Sequence, residues 1–177
     1  DQAPSYGVNG LTANVTFDNY VGEGTSISGS IELKITGLAG GAVGPTFSVK
    51  VLQDLTFAEG NDTHVWEAGS ERIFKWLEGF ATLNDNTDDV YSLEGNSSGV
   101  NTDGVPYEVN ITTPLIFDMS CEYIPEGVME IVNNAGTEDE KTLTIDFAPG
   151  AGDETGQCDS WVSISTGSFT VKFDINQ

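Results

Sequence analysis

The sequence predicts an all-β, antiparallel protein of about ten strands, a sandwich or long meander forming a single domain over residues 1–177. Three observations predict it. Apolar residues recur at every second position in most segments, the period of a strand with one wet and one dry face. Glycine (21 residues), together with abundant Asn, Asp, Ser and Thr, divides those segments at turn spacing. Helical stretches of a dozen residues, which the crossovers of an α/β fold require, are missing between the patterned runs.

The elements follow in order. Leu11, Ala13, Val15 and Phe17 alternate with polar residues after an Asn9-Gly10 break. Ile27, Gly29, Ile31, Leu33 and Ile35 give the cleanest alternation of the chain, and the glycine-rich residues 37–41 end it. Phe47, Val49 and Val51 continue into Leu55 and Phe57. Later runs are Val105, Tyr107, Val109 and Ile111; then Leu143, Ile145 and Phe147; then Phe169, Val171, Phe173 and Ile175. Asn101-Thr102-Asp103-Gly104 ends in a residue able to take positive φ, which predicts an antiparallel hairpin there. Residues 70–80 fit two periods. A short helix would stack Ile73, Trp76, Leu77 and Phe80, with Ser70 as N-cap. A strand would align Trp66, Ala68, Arg72, Phe74 and Trp76, and the surrounding strands make it the expectation.

Leu, Ile, Val and Phe make up about a quarter of the residues, above the roughly 20% below which chains stay disordered. A compact chain of 18.8 kDa leaves roughly 8,000 Å² exposed around one core. With 28 acidic residues against 6 Lys and Arg, the formal net charge is −22. Such a field repels phosphate backbones and anionic headgroups, which excludes nucleic-acid partners and attachment through a basic patch. It suits a saline or calcium-containing medium. No apolar run approaches the ~18 residues of a membrane span, so direct membrane insertion is not expected. The first residues, Asp-Gln-Ala-Pro-Ser, lack the basic and apolar regions of a leader, so the chain reads as already processed.

Chemistry-bearing groups are sparse. Cys121 and Cys158 are the two cysteines and His64 the one histidine, too few for a zinc site. A disulfide in an oxidising compartment is the expectation, and two buried thiols in a reducing one the alternative. No Gly-x-Ser-x-Gly elbow accompanies His64, and no pair of carboxylates stands out from 28, so no catalytic residue is assigned and the chain is not read as an enzyme. Acidic loops offer the oxygen ligands that calcium prefers, foremost Asn84, Asp85, Asp88 and Asp89, then Glu138 to Glu140, then Asp153 and Glu154. None has EF-hand spacing. No cofactor is obligatory, and calcium is the candidate ion. Trp66 and Trp76 are the candidate stacking platforms for a glycan or other ligand.

Several turn-and-strand signatures carry a resemblance. They are Phe17-Asp18-Asn19-Tyr20, the run from Arg72 through Trp76 to Gly79, Asp88-Asp89-Val90-Tyr91-Ser92-Leu93, Ser98-Gly99-Val100-Asn101 and Ile111-Thr112-Thr113-Pro114-Leu115. Cys121 with Gly127, Ile145-Asp146-Phe147 and Cys158-Asp159 complete them. In these the chain resembles, nearly end to end, a family of exported β-rich proteins of Bacteroidetes-type bacteria, many of them predicted lipoproteins. The resemblance implies antiparallel β architecture, export and no assigned reaction. The family's compact Asp-Tyr-Gly-Asp-Gly-x-Cys-Asp turn is lengthened here, with residues 148–157 standing between Asp146-Phe147 and Cys158-Asp159. The lipobox cysteine of a lipoprotein is not at residue 1, so lipid anchoring of this chain is not expected.

These features favour a structural or adhesive module at the outer cell surface or beyond it, able to self-associate or to engage surface partners. The terminal patterned strands, through Leu11, Val15 and Phe17 and through Phe169, Val171, Phe173 and Ile175, are the candidates for assembly by strand exchange. The alternative is an extracellular glycan- or ligand-binding module with calcium-stabilised loops.

Overall fold

A computed structural model describes residues 5–7, 10–37, 44–82, 84–149 and 157–176. The expectation of an all-β fold holds. Twelve strands form one antiparallel sheet: β1 (Ser5–Gly7), β2 (Gly10–Gly22), β3 (Thr25–Thr36), β4 (Thr46–Glu59), β5 (Asp62–Trp66), β6 (Glu71–Glu78), β7 (Val90–Val100), β8 (Pro106–Asp118), β9 (Glu126–Asn133), β10 (Lys141–Asp146), β11 (Trp161–Thr166) and β12 (Phe169–Asp174). Each strand pairs with its neighbour in sequence, with one exception. β5 and β6 both lie between β4 and β7, β5 along one half of β4 and β6 along the other.

The helical alternative for residues 70–80 is therefore corrected: they are β6. Trp76 and Phe74 pair across the sheet with Tyr91 and Leu93, and Phe74 pairs with Phe47 on its other side. These partners stack side chains on the same face, and ladder bonds on both flanks outweigh the weak local preference for a helical turn. The Asn101 turn also forms as expected. Asn101 Oδ1 accepts from the Asp103 and Val105 amides, and the Gly104 amide donates to the Asn101 carbonyl.

β5 and β6 amount to one strand interrupted. Residues 67–70 fold into a tight turn that stays bonded to Val51 on one side and Ser98 on the other, with the Ser70 amide donating to the Glu67 carbonyl at 3.2 Å. Ser70 Oγ accepts from the Ser98 amide at 3.1 Å, and the Ala68 amide donates to Asp54 Oδ1 at 2.7 Å. Further register shifts occur at residues 17–20 of β2, 51–56 of β4 and 111–116 of β8. These irregularities form a band across the middle of the sheet, and bulges of this kind bend the strands that carry them. The opposing strands accommodate the displaced carbonyls with glycine: Gly29 faces the Asp54 carbonyl, and Gly95 faces that of Glu71.

Register places the alternating apolar residues of every long strand on one face, from Leu11 of β2 to Val171 of β12. That face has little over it. Among the described residues, strands touch only their sheet neighbours, and the buried hydrophobic side chains are Val51, Leu55, Leu115 and Val162, none of them fully enclosed. The first three border the bulges of β4 and β8, so the small core lies at the bend. The chain exposes 10842 Å², roughly a third more than the ~8,000 Å² expected of a compact chain of this mass. A side chain on an uncovered sheet face is shielded by its lateral neighbours alone, which leaves it half-buried, and that is the condition of most of this face.

Cys121, just after β8, is bonded to Cys158, ahead of β11, with Cα atoms 5.5 Å apart. The bridge spans the β9–β10 pair. It bears out the disulfide expectation and fits an oxidising compartment.

Candidate functional site

The most structured region of the apolar face lies where β4, β5, β6 and β7 meet at the bulge of residues 67–70. A cavity of about 230 Å³ opens there, walled by Val49, Val51, Trp66, Ser70, Arg72 and Ser97. Alternation explains these residues: Val49 pairs with Arg72, and Trp66 with Gly99, which admits the Val65 carbonyl and the Tyr107 hydroxyl where a Cβ would stand. Arg72 Nη2 donates to Ser97 Oγ at 2.7 Å and Nη1 to the Glu71 carbonyl at 3.3 Å. No carboxylate pairs with it among the described residues, where Lys75 with Glu94 is the ion pair that forms. Burial lowers the Arg72 pKa, and the nearby Tyr107 phenol opposes that shift. A sheet-face arginine without a counter-ion was not singled out beforehand. Its place in the alternation Arg72, Phe74, Trp76 was the available signal.

Trp66 and Trp76 do not form one platform. Trp66 ends β5 at the bulge in the middle of the column, and Trp76 lies towards the far end of β6. Trp66 is 38% exposed and packs edge-on against Phe57 at 5.8 Å between ring centroids. Trp76 is enclosed by Phe80 at 5.1 Å and Tyr91 at 5.4 Å, and its Nε1 donates to Asp89 Oδ1 at 3.1 Å. Of the two, Trp66 offers the more open ring to a ligand.

His64 belongs to the same cluster as Trp66. Its Nε2 lies 3.0 Å from the Tyr107 hydroxyl, their rings stack at 5.5 Å, and Phe57 and Trp66 flank the imidazole. Desolvation raises the Tyr107 pKa.

Among the loop residues proposed for calcium, the three carboxylates turn to different partners. Asp85 Oδ1 accepts from the Thr87 hydroxyl at 2.6 Å and the Thr87 amide at 3.0 Å, which holds its pKa below the usual carboxylate value. Asp88 Oδ2 accepts from the Thr82 hydroxyl at 2.6 Å. Asp89 is turned inward, 5% exposed, and takes the Trp76 indole and the Tyr91 hydroxyl as donors. Asn84 lies in the turn beside them. No group of three or more His, Cys, Asp or Glu side chains converges as metal ligands among the described residues. Glu140 Oε2 accepts from the Gly136 amide, tying the 138–140 cluster to its own turn. Asp153 and Glu154 lie outside the described residues. The inward course of Asp89 was legible: it is two positions from Tyr91, hence on the same face.

The strands proposed for assembly occupy the two ends of the sheet. β12 pairs with β11 alone, and β2 beyond Thr12 pairs with β3 alone, among the described residues. Leu11, Val15 and Phe17 of β2 are half-buried on the apolar face, as is Phe173, whereas Phe169 at 65%, Val171 and Ile175 are exposed. Compared with known proteins, the chain matches no family profile, no curated protein and no solved structure.

Proposed function

We propose that this chain is an exported structural or adhesive module of the outer cell surface that works by self-association, without catalytic activity. The observation that carries the proposal is the open sheet. Both ends of the meander present unpaired backbone edges among the described residues, and each end is a regularly patterned strand. Monomeric proteins protect such edges with lysine, proline or short strands. Residues 13–17 of β2 contain neither lysine nor proline, and at the other end β12, which carries Lys172, leaves Phe169 the most exposed large hydrophobic side chain among the described residues. The disulfide and the surface rich in carboxylates support an oxidising, saline setting.

Light scattering on native material and negative-stain microscopy, with and without calcium, test this. Oligomers or filaments are expected, and a strict monomer across the micromolar range refutes the proposal. Trp66 favours a second reading, a glycan- or ligand-binding module, because its ring is open beside a cavity. Glycan-array binding that is abolished by Trp66→Ala and retained in Trp76→Phe would establish it.

A further inference from the structure

Among the described residues the apolar face is a broad surface that no other strand covers. Eleven columns at ~4.8 Å spacing, with strands of six residues or more in most of them, give a face of about 1,000 to 1,500 Å² in projection. A stable interface takes ~800 Å² from each partner. At its centre Leu33 of β3, Phe47 and Val49 of β4 and Trp66 of β5 are each more than a third exposed, side by side on adjoining strands. The cavity walled by Val49, Val51, Trp66 and Arg72 opens among them.

Most of the charge of the ladder lies on one face. Glu32, Glu71, Glu94, Glu108, Glu130 and Asp146, with Lys34, Lys50, Lys75 and Lys172 among them, occupy register positions on the opposite face. Where β3, β4 and β6 adjoin, the apolar face carries Arg72 and no carboxylate. Two copies with a net charge of −22 each can therefore approach through the centre of this face without setting carboxylate against carboxylate, Glu59 and Asp62 lying at its margin in the β4–β5 hairpin.

We propose that this face packs against the same face of a second copy, so that two chains close a two-sheet sandwich and each fills the other's cavity with an apolar side chain. Sheets pack face to face at ~10 Å with interdigitated side chains, and a self-complementary face gives a closed twofold pair. The proposal rests on the self-association already inferred and adds the face through which it occurs. The sheet edges stay free in such a pair to join further copies.

Sedimentation velocity of the oxidised chain across the micromolar range, at physiological ionic strength, reads the association state. A dimer is expected. Val49→Lys sets a second cation across the ladder from Arg72 at the centre of the face and should raise the dimer Kd by about tenfold or more, with the circular dichroism spectrum unchanged because Val49 is solvent-accessible. Should Val49→Lys fail to fold, Leu33→Glu carries the same test from the adjoining strand. Thr16→Lys, on the wet face of β2, should leave the dimer intact. A dimer abolished by Thr16→Lys and indifferent to both face variants overturns face pairing while leaving self-association standing. A wild-type chain that stays monomeric overturns both, and a monomer that binds zwitterionic phosphatidylcholine vesicles through Val49 makes lipid the occupant and overturns the pairing.

Discussion

Replacing Gly29 by alanine should unfold the centre of the sheet more severely than its lack of a side chain suggests. Gly29 has φ of +123°, and a Cβ built on it would lie 2.2 Å from the Asp54 carbonyl oxygen and 3.0 Å from Leu55 Cα. Both are backbone atoms, so β3 and β4 must separate by more than an ångström beside the bulge. The strained φ costs about 1–2 kcal/mol. Separation sacrifices on the order of two ladder hydrogen bonds at ~1 kcal/mol each and loosens Leu55, one of the few buried side chains. The expected loss is about 3–5 kcal/mol. Gly24→Ala is the control: its φ is +92°, and nothing lies within 4 Å of a built Cβ, so it bears the dihedral cost alone. The two variants should differ by about 2–3 kcal/mol, or very roughly 5–10 °C in Tm for a domain of this size. Urea unfolding followed by circular dichroism measures the gap. Equal destabilisation of the two variants would refute the close approach of the Asp54 carbonyl as the reason for glycine at this position.

Asp89→Ala should cost about 2–4 kcal/mol, because it leaves the Trp76 indole and the Tyr91 hydroxyl without their shared acceptor; thermal melts read this. Tyr91 has its pKa raised by desolvation first and by Asp89 second, so Asp89→Asn should move its absorbance titration down towards the ordinary tyrosine value of ~10. The sign follows from linkage: stability from a phenol kept neutral is present below the unfolded value and is lost as pH rises through the folded one. Asp85 and Asp118 run the other way. Hydrogen bonds from Thr87 and Ser120 depress them, so their stabilisation is present above ~3.9 and disappears as pH falls through the folded values; NMR titration of Thr87→Ala should find Asp85 raised relative to wild type. Reducing the bridge between Cys121 and Cys158, 37 positions apart, should lower stability by about 4 kcal/mol on the chain-entropy model, as denaturant midpoints with and without reductant would record.

Alternation made most of the strands legible because each long run buries one side against its neighbours and wets the other. Ile27 to Ile35 is the clearest instance, and it became β3 as expected. Residues 70–80 were ambiguous because Ile73, Trp76, Leu77 and Phe80 satisfy a helical period, and only cross-strand partners far away in sequence, Phe47 and Tyr91, decide for the strand. The bulges were not read at all. Their signals were present in Gly29 and Gly95, glycines inside patterned strands, which commonly mark a close backbone approach. The thin core was also missed: composition counts apolar residues, and an uncovered sheet contains as many of them as a covered one. Of the site residues, the cysteine pair could be read because two thiols leave one pairing. The separation of Trp66 from Trp76 could not, because it depends on the turn at 67–70 and on which rings pack behind each indole.

The bulges set rules for length variation in this chain. Between Thr56 and Val51, β4 takes five steps while β3 takes three, and between Trp66 and Glu71 the β5–β6 column takes five while β7 takes three. Two extra residues restore the alternation in phase, so the same side of the ribbon faces the same way before and after the bend. Removing one residue from 52–54 would turn the rest of that strand over, presenting Ser48 and Lys50 where Phe47 and Val49 now stand. Removing two would straighten the strand and preserve its facing. Viable insertions and deletions near the bend should therefore come in even numbers, and an odd one should survive only where a residue adopts left-handed geometry to absorb it, as Asn19 does at φ of +48° in β2.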